Sequence, residues 1–245
     1  MNLKISFLFL IFSLLALTPV VSQEQGDQSA TELLSLYFDN IFGNDNRLIS
    51  GHFYYGPVKG SIKGHPYYFD ESWKNGIIET ANASFDDLQV KYDICLNRMI
   101  LKYTSTDNAV YQIGLNPGNI ISMKVANSEF IQLPATNDSI DAPFAEVISN
   151  GPVQYLVTKE KSLQITNNPG SFDYEYKEYV KQYLFHNGML IPFRNKKTLY
   201  KTFPEIKSLL KRFVRQSNLY FIRRRIDERG KLIDYCNTLL SGNNE

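Results

Sequence analysis

Two short stretches of this chain repeat the same order of residue types, and each contains a histidine. The motifs GHFYY and GHPYY place His52 and His65 at an offset of 13 residues. Imidazole nitrogens bind transition metals, and Asp70 or Glu71 would add a carboxylate oxygen to the same ion. Half-exposed imidazoles on a sheet-edge hairpin explain the repeat as well, so we assign no metal ligand from it.

Carboxylates are the second group of side chains with catalytic chemistry. Asp86, Asp87, Asp93 and Glu146 lie in the middle of the chain, and paired carboxylates hydrolyse glycosidic bonds when a defined distance separates them. A sequence gives no such distance. No serine lies in a nucleophile elbow. We therefore assign no catalytic residue and no cofactor-binding residue.

The first 22 residues have the form of a secretory signal peptide. Lys4 provides the positive charge, residues 5–17 form an apolar run, and Ser22 precedes the predicted cleavage site. The run is shorter than the roughly 20 apolar residues of a membrane-spanning helix, and no second stretch of spanning length follows. We expect an exported protein of the periplasm, the outer membrane surface or the medium, with a mature chain of residues 23–245.

Charge is divided unevenly along the mature chain. Residues 23–193 carry a net charge of −8 and residues 194–245 a net charge of +8. Such a basic segment predicts either the solvated face of a helix or a surface for an acidic or phosphate-bearing partner. In an exported protein an envelope protein or an anionic envelope component is the expected partner, and nucleic acid is not.

The densest positive cluster lies between two predicted helices and includes two aromatic residues. It is our candidate partner-binding site. Its members are Tyr220, Phe221, Arg223, Arg224, Arg225, Arg229 and Lys231.

The elements that position these residues follow from hydrophobic periodicity. Leu33, Leu34, Phe38 and Phe42 recur at helical spacing and predict an N-terminal helix. Between about residues 50 and 193 the apolar residues alternate instead, and Asn-Gly pairs at 150–151 and 187–188 separate strand-like runs. We expect roughly ten antiparallel strands in nearest-neighbour order, a meander that forms a half-barrel, a barrel or a sandwich.

Helical spacing returns after residue 193. A capping box at residues 202–205 predicts one helix that ends near Asn218, and a second helix is predicted over residues 227–240. The fold class is therefore mainly β, of the α+β type, with one N-terminal and two C-terminal helices. We expect residues 23–193 to form the sheet domain and residues 194–245 a basic helical segment packed on it.

The two cysteines, Cys95 and Cys236, leave the redox state open. Export permits a disulfide between them but does not require one. Cys236 lies on the apolar face of the last predicted helix, with Leu232, Ile233 and Leu239. That position is typical of a small buried thiol.

Several phrases together resemble an uncharacterised family of exported proteins from Bacteroidota. The phrases are HPYYF from His65, WKNG from Trp73, LQVKYD from Leu88 and FPEIK from Phe203. The resemblance spans most of the mature chain and implies a cell-envelope protein with no established activity. The overall layout is also similar to that of periplasmic lipoprotein carriers, although the later helices and the basic tail depart from that pattern.

These observations favour a non-enzymatic binding or interaction module of the cell envelope. The first alternative is a glycan hydrolase, which needs two carboxyl groups facing each other across an aromatic-lined groove. The second is a carrier of lipid or another apolar ligand, which needs a hollow apolar interior.

Overall fold

The computed structural model describes residues 52–56, 61–81, 83–104, 109–134, 142–166, 173–219 and 225–242. All of them belong to one compact unit, Asp45–Glu245. The predicted signal peptide and the predicted N-terminal helix lie outside the described residues.

The described chain is mainly β, as the alternation of apolar residues predicts. Twelve strands belong to one sheet. They are β1 (His52–Phe53), β2 (Ile62–Lys63), β3 (Lys74–Thr80), β4 (Ser84–Asp93), β5 (Arg98–Thr104), β6 (Val110–Gly114), β7 (Ile120–Val125), β8 (Ser128–Gln132), β9 (Phe144–Ser149), β10 (Gln154–Ile165), β11 (Tyr174–His186) and β12 (Met189–Pro192).

The sheet is open along its pairing path and mostly antiparallel, but it is not a simple meander. Its order is β1-β6-β5-β4-β3-β7-β8-β9-β10-β11-β12, and β2 pairs with β11 in parallel. The expected nearest-neighbour order therefore fails for β1 and β2, and again between β6 and β7. The chain leaves β6 near one edge, passes through a 3-10 turn at Pro117–Asn119 and returns to pair β7 with β3.

Turn chemistry explains the hairpins. Asn187 and Gly188, between β11 and β12, have φ values of 49° and 75°, which is the left-handed geometry of a two-residue hairpin turn. Asn116 caps the 3-10 turn, because its side-chain oxygen accepts the Gly118 N–H at 3.0 Å. The predicted turn at residues 187–188 is confirmed.

The sheet curls so that strands far apart in its order meet. The Lys161 backbone N–H in β10 donates to the Ile94 carbonyl just after β4, at 3.0 Å. The segment before β3 lies beside the same end of β4, since the Ile94 N–H donates to the Pro66 carbonyl and the Tyr68 N–H to the Tyr92 carbonyl. The Lys161 ammonium fixes this segment further through the carbonyls of His65 and Tyr67.

One row of directly paired residues crosses seven strands and defines the inner face of the sheet. It consists of Phe85, Ile78, Met123, Phe130, Glu146, Val157 and Gln182. The rings of Tyr68 and Tyr92 contact Phe130 of this row, with centroids 4.9 and 5.7 Å apart, and Phe144 contacts Tyr92 at 6.1 Å. Packed aromatic rings therefore fill the inner face near Phe130.

Three helices, rather than two, follow the sheet: α1 (Lys196–Thr202), α2 (Lys207–Gln216) and α3 (Ile226–Gly242). The expected single helix near residues 202–218 begins only at Lys207. Phe203 lies before Pro204 and has φ −126° and ψ 73°, because the residue before a proline avoids the helical region. The proline thus ends α1 instead of opening the next helix.

The helices pack on the inner face at the β9–β12 end of the sheet. Tyr155, Val157 and Leu184 of the sheet form one buried core with residues of α1, α2 and α3. Asn237 of α3 clamps the turn before β10, since its side chain accepts the Val153 N–H at 2.8 Å and donates to the Val153 carbonyl at 2.9 Å.

Neither cysteine forms a disulfide. Cys95 is half-buried and Cys236 is buried in the helical core, as the apolar face of α3 predicts. Burial raises the pKa of the Cys236 thiol to about 12. No helix in the described part of the chain is long and apolar enough to cross a membrane.

Candidate functional site

The structure describes three of the seven candidate partner-binding residues, and these three do not share one surface. Tyr220, Phe221, Arg223 and Arg224 lie outside the described residues. Arg225 is exposed and forms an ion pair with Glu228 at 2.5 Å. Lys231 is exposed on α3, whereas Arg229 is buried, with 1% of its surface accessible.

Arg229 joins α3 to the sheet and does not face a partner. Its Nη1 atom donates to Gln182 Oε1 at 2.6 Å and to the Phe193 carbonyl at 2.9 Å, and Nη2 donates to the Arg194 carbonyl at 3.2 Å. The guanidinium carbon also lies 5.2 Å from the Phe193 ring centroid. A sequence signal for this burial exists, because Arg229 precedes Leu232, Ile233 and Cys236 by three, four and seven residues and so shares their helix face.

Among the described residues, exposed positive charge is concentrated on α1 and α2. Between Lys196 and Gln216 the chain has seven basic residues, all exposed, and a single acidic residue, Glu205. No ion pair among the described residues uses any of the seven. The basic residues are Lys196, Lys197, Lys201, Lys207, Lys211, Arg212 and Arg215.

A groove between α1 and α2 collects part of this charge; we call it the basic groove. Its volume is about 320 Å³, and its lining residues are Lys196, Tyr200, Lys211, Val214 and Arg215. The Lys211 Nζ atom lies 6.0 Å from the centroid of the Tyr200 ring, and burial raises the pKa of Tyr200. Three cationic side chains therefore surround a half-buried, neutral phenol.

The local sequence explains why the basic side chains of α1 and α2 face solvent. The Asn195 side chain accepts the Lys197 N–H at 2.9 Å and caps the start of α1. Leu199 and Leu210 are fully buried in the core beneath the helices. Phe213 of α2 stacks on Tyr235 of α3, with ring centroids 4.2 Å apart. One face of each helix is therefore packed against the core, and basic residues occupy the other face.

The sequence signal for the basic groove was present but incomplete. Helical spacing places Lys207, Lys211, Arg212 and Arg215 opposite the apolar stripe of α2. The lysines of α1 were not recognised as helical, because the break before Pro204 makes α1 a separate helix of only seven residues. Local charge density alone therefore points to residues 220–231 rather than to α1 and α2.

The carboxylates considered for glycan hydrolysis lie in unlike environments. Asp86 and Asp87 are exposed on β4. Asp93 is 1% exposed and accepts three hydrogen bonds, from the Tyr54 hydroxyl at 2.6 Å and from the backbone N–H groups of Cys95 and Leu96. These bonds make Asp93 the cap of the turn between β4 and β5.

Glu146 is the inward carboxylate that remains partly accessible. It accepts hydrogen bonds from the Tyr68 hydroxyl and from Ser128 Oγ, the latter at 2.5 Å. Burial and the Glu146 charge both raise the pKa of Tyr68, so Tyr68 acts there as a neutral donor. The Lys159 ammonium lies 4.1 Å from the Tyr68 ring centroid.

The two histidines of the repeated motif have different partners. His52 is exposed in β1, whereas His65 Nδ1 accepts the Tyr67 N–H at 3.2 Å. Among the described residues, no three histidine, cysteine, aspartate or glutamate side chains are grouped to hold a metal ion.

No protein-family model, no curated protein and no solved structure matches this chain. The geometry and charge of the basic groove are therefore the basis for a functional argument.

Proposed function

We propose that this protein is an exported, non-enzymatic binding module of the cell envelope, and that α1 and α2 bind phosphate-bearing lipid head groups. The observation that carries the proposal is the set of seven exposed basic residues on α1 and α2, none of them in an ion pair with a described carboxylate. Basic residues near an anionic lipid surface each contribute about 1 kcal/mol to binding.

The basic groove has suitable chemistry for a phosphate group. Lys196, Lys211 and Arg215 converge there, and ammonium and guanidinium groups donate charge-assisted hydrogen bonds to phosphate oxygens. Tyr200 adds a neutral ring that packs against the carbon skeleton of a head group. The resemblance to exported Bacteroidota proteins and the predicted signal peptide support the envelope as the place of action.

The described structure supports the two alternatives less well than binding. Asp93 is 1% exposed and its carboxylate caps a turn, so it is not accessible to a glycan. The interior around Phe130 is filled by aromatic rings, which disfavours a carrier with its ligand in that part of the sheet.

Vesicle binding tests this function. Purified residues 23–245 are mixed with neutral vesicles, with vesicles that contain anionic phospholipid, and with lipopolysaccharide, and the bound fraction is measured by sedimentation. We expect binding to the phosphate-rich surfaces alone, weakening as salt rises because the interaction is between exposed charges. Equal binding to neutral and anionic vesicles would overturn the proposal, as would no binding to either anionic surface.

A charge-matched pair of variants assigns the binding to the groove. The Lys211→Glu/Arg215→Glu double variant reverses two charges in the groove, and we expect affinity for anionic vesicles to fall at least about tenfold. The control, Lys124→Glu/Lys177→Glu, makes the same change of net charge at exposed positions on β7 and β11. An equal loss in both would show that net charge, and not the groove, determines binding.

A further inference from the structure

The outward face of β3 and β4 carries a group of polar and aromatic side chains that packing does not explain. Gln89 and Asn75 are cross-strand partners, and Gln89 Nε2 donates to Asn75 Oδ1. Lys91 lies two residues after Gln89 in β4 and therefore on the same face of the sheet. Its Nζ atom lies over the Trp73 ring, 4.5 Å from the ring centroid. We call Trp73, Asn75, Gln89 and Lys91 the outer-face quartet.

The quartet lies on the side of the sheet opposite to the core. Val90 and Tyr92, which alternate with Gln89 and Lys91 along β4, are buried on the inner face. Asn75 is exposed, and Trp73 and Lys91 are half-exposed. The Trp73 indole and the Lys91 side chain are therefore partly exposed to solvent, on a face that is not part of the core.

The quartet is held in place by its neighbours. The Asp70 carboxylate accepts the Ser72 N–H and the Lys74 ammonium, both at 2.8 Å, which fixes the turn that presents Trp73. The Lys91 ammonium also lies 4.8 Å from the centroid of the Tyr67 ring. Partial burial lowers the pKa of Lys91. The side chains are therefore arranged before any ligand arrives, which reduces the entropy cost of binding.

We propose that the outer-face quartet is a carbohydrate-binding site, in which a sugar ring packs against the part of the Trp73 indole that Lys91 does not cover and its hydroxyl groups bind Asn75, Gln89 and Lys91. The hydrogen bond within the amide pair leaves Asn75 Nδ2 as a donor and Gln89 Oε1 as an acceptor, and a hydroxyl group complements both. The Lys91 ammonium donates to a hydroxyl or carboxylate oxygen and forms no ion pair with a described residue.

A carbohydrate fits this face better than a protein surface does. The quartet offers one large aromatic side chain among polar groups, whereas the centre of a protein interface is an apolar cluster from which charged residues are depleted. A sugar ring has a CH-rich face for the indole and a rim of hydroxyl groups for the amides. The site is independent of the basic groove and of the proposal made for it.

The chain has a single tryptophan, Trp73, so its fluorescence reports on this site alone. The mature protein is titrated with neutral hexose oligosaccharides and, separately, with uronic-acid oligosaccharides. We expect a saturable change of Trp73 emission with at least one set. If only uronic-acid oligosaccharides bind and Lys91→Gln abolishes their binding, Lys91 recognises the carboxylate. No saturable change with either set overturns the proposal.

Calorimetry with whichever oligosaccharide binds measures how much each residue of the quartet contributes to affinity. We expect Trp73→Ala, and the double variant Asn75→Ala/Gln89→Ala, to bind at least about tenfold more weakly. Tyr174→Ala, which removes an aromatic side chain of 42% exposure from β11, should bind within about twofold of the wild type. An unchanged affinity in the amide double variant overturns the proposal.

The lipid-binding proposal and the carbohydrate-binding proposal can each be overturned without the other. Lys211→Glu/Arg215→Glu should keep the change of Trp73 emission, and Trp73→Ala should keep binding to anionic vesicles. Loss of carbohydrate binding in the groove variant would show that the sugar binds at α1 and α2, which overturns the assignment to the outer-face quartet.

Discussion

Arg229 is the largest fully buried side chain in the described part of the chain. Its guanidinium supplies donors to Gln182 Oε1 and to the carbonyls of Phe193 and Arg194. A buried acceptor that loses its donor is costly, because water cannot replace the lost bond. The contribution of Arg229 is therefore to stability and to the docking of α3.

We expect Arg229→Met, which keeps most of the volume but none of the donors, to lower the free energy of unfolding by about 2 to 4 kcal/mol. Lys231→Met, at an exposed position on the same helix, should change it by less than about 0.5 kcal/mol. Denaturant unfolding of both variants measures the difference. Equal effects of the two substitutions would show that the Arg229 hydrogen bonds contribute little.

His65 makes stability depend on pH. Its Nδ1 atom accepts the Tyr67 N–H, which requires a neutral ring, and burial together with the Lys161 charge lowers its pKa, against the opposing charges of Glu71, Asp70 and Glu178. The unfolded chain takes up the proton near its ordinary pKa of about 6.5. Below that pH the unfolded state binds more protons than the folded state, so stability falls as pH decreases toward the folded pKa.

We therefore expect the wild type to lose more stability between about pH 7 and pH 5 than His65→Gln does. Glutamine keeps an acceptor but does not titrate. Unfolding free energies measured across this range for both proteins test the effect, and Lys161→Met should reduce the wild-type slope. Parallel pH profiles of the wild type and His65→Gln would contradict the assignment.

At the scale of elements, β3 pairs with both β4 and β7, and Gly76 allows it to pack closely between them. A Cβ atom at Gly76 would lie 2.5 Å from Val90 Cγ2 and 3.2 Å from the Lys124 carbonyl oxygen. The second atom belongs to the backbone of β7 and cannot move away without disturbing the β3–β7 pairing.

We expect Gly76→Ala to destabilise the protein by about 1 to 3 kcal/mol, the range for overpacking a filled site. Gly242→Ala is the matched control, because a Cβ atom there meets nothing within 4 Å. Thermal unfolding of both variants measures the effect. Similar midpoints for the two would show that β3 and β7 separate easily.

Local sequence patterns were sufficient to predict the strands and turns that depend on neighbouring residues. Alternation predicted β4 to β9, and Asn187-Gly188 predicted the turn between β11 and β12. The place of β3 inside the sheet was not predictable, because its pairing with β7 depends on residues 40 to 49 positions away in sequence. Within the candidate site, charge density alone marks Arg229 as a surface cation, whereas its helical spacing from Leu232 and Ile233 and the packing of α3 place it inward.

At the scale of the whole molecule, the sheet and the C-terminal segment share one core. Tyr155 and Leu184 of the sheet are fully buried together with Leu199, Leu210 and Ile233 of the three helices. Removing the helices would expose the sheet side of this core to water. The basic segment is thus a part of the fold as well as the carrier of the basic groove.

We expect the truncated chain of residues 23–193 to fail to fold cooperatively, to bind a dye specific for exposed apolar surface, and to aggregate. The full mature chain, purified in the same way, is the control. Near-ultraviolet circular dichroism and dye fluorescence measure the difference. A soluble truncated chain with a cooperative unfolding transition would show that the sheet is an autonomous domain.

The hydrogen bond between Lys161 and Ile94 has a consequence for the order of events in folding. It joins residues 67 positions apart, and β5 to β9 all lie between them in sequence. Contacts of such long range carry a large loop-closure entropy and form slowly unless the intervening chain is already ordered. We therefore expect the hairpins to form first and the curl of the sheet to close last. Until it closes, the part of β10 beyond its pairing with β9, from Thr158 onward, is open to other chains.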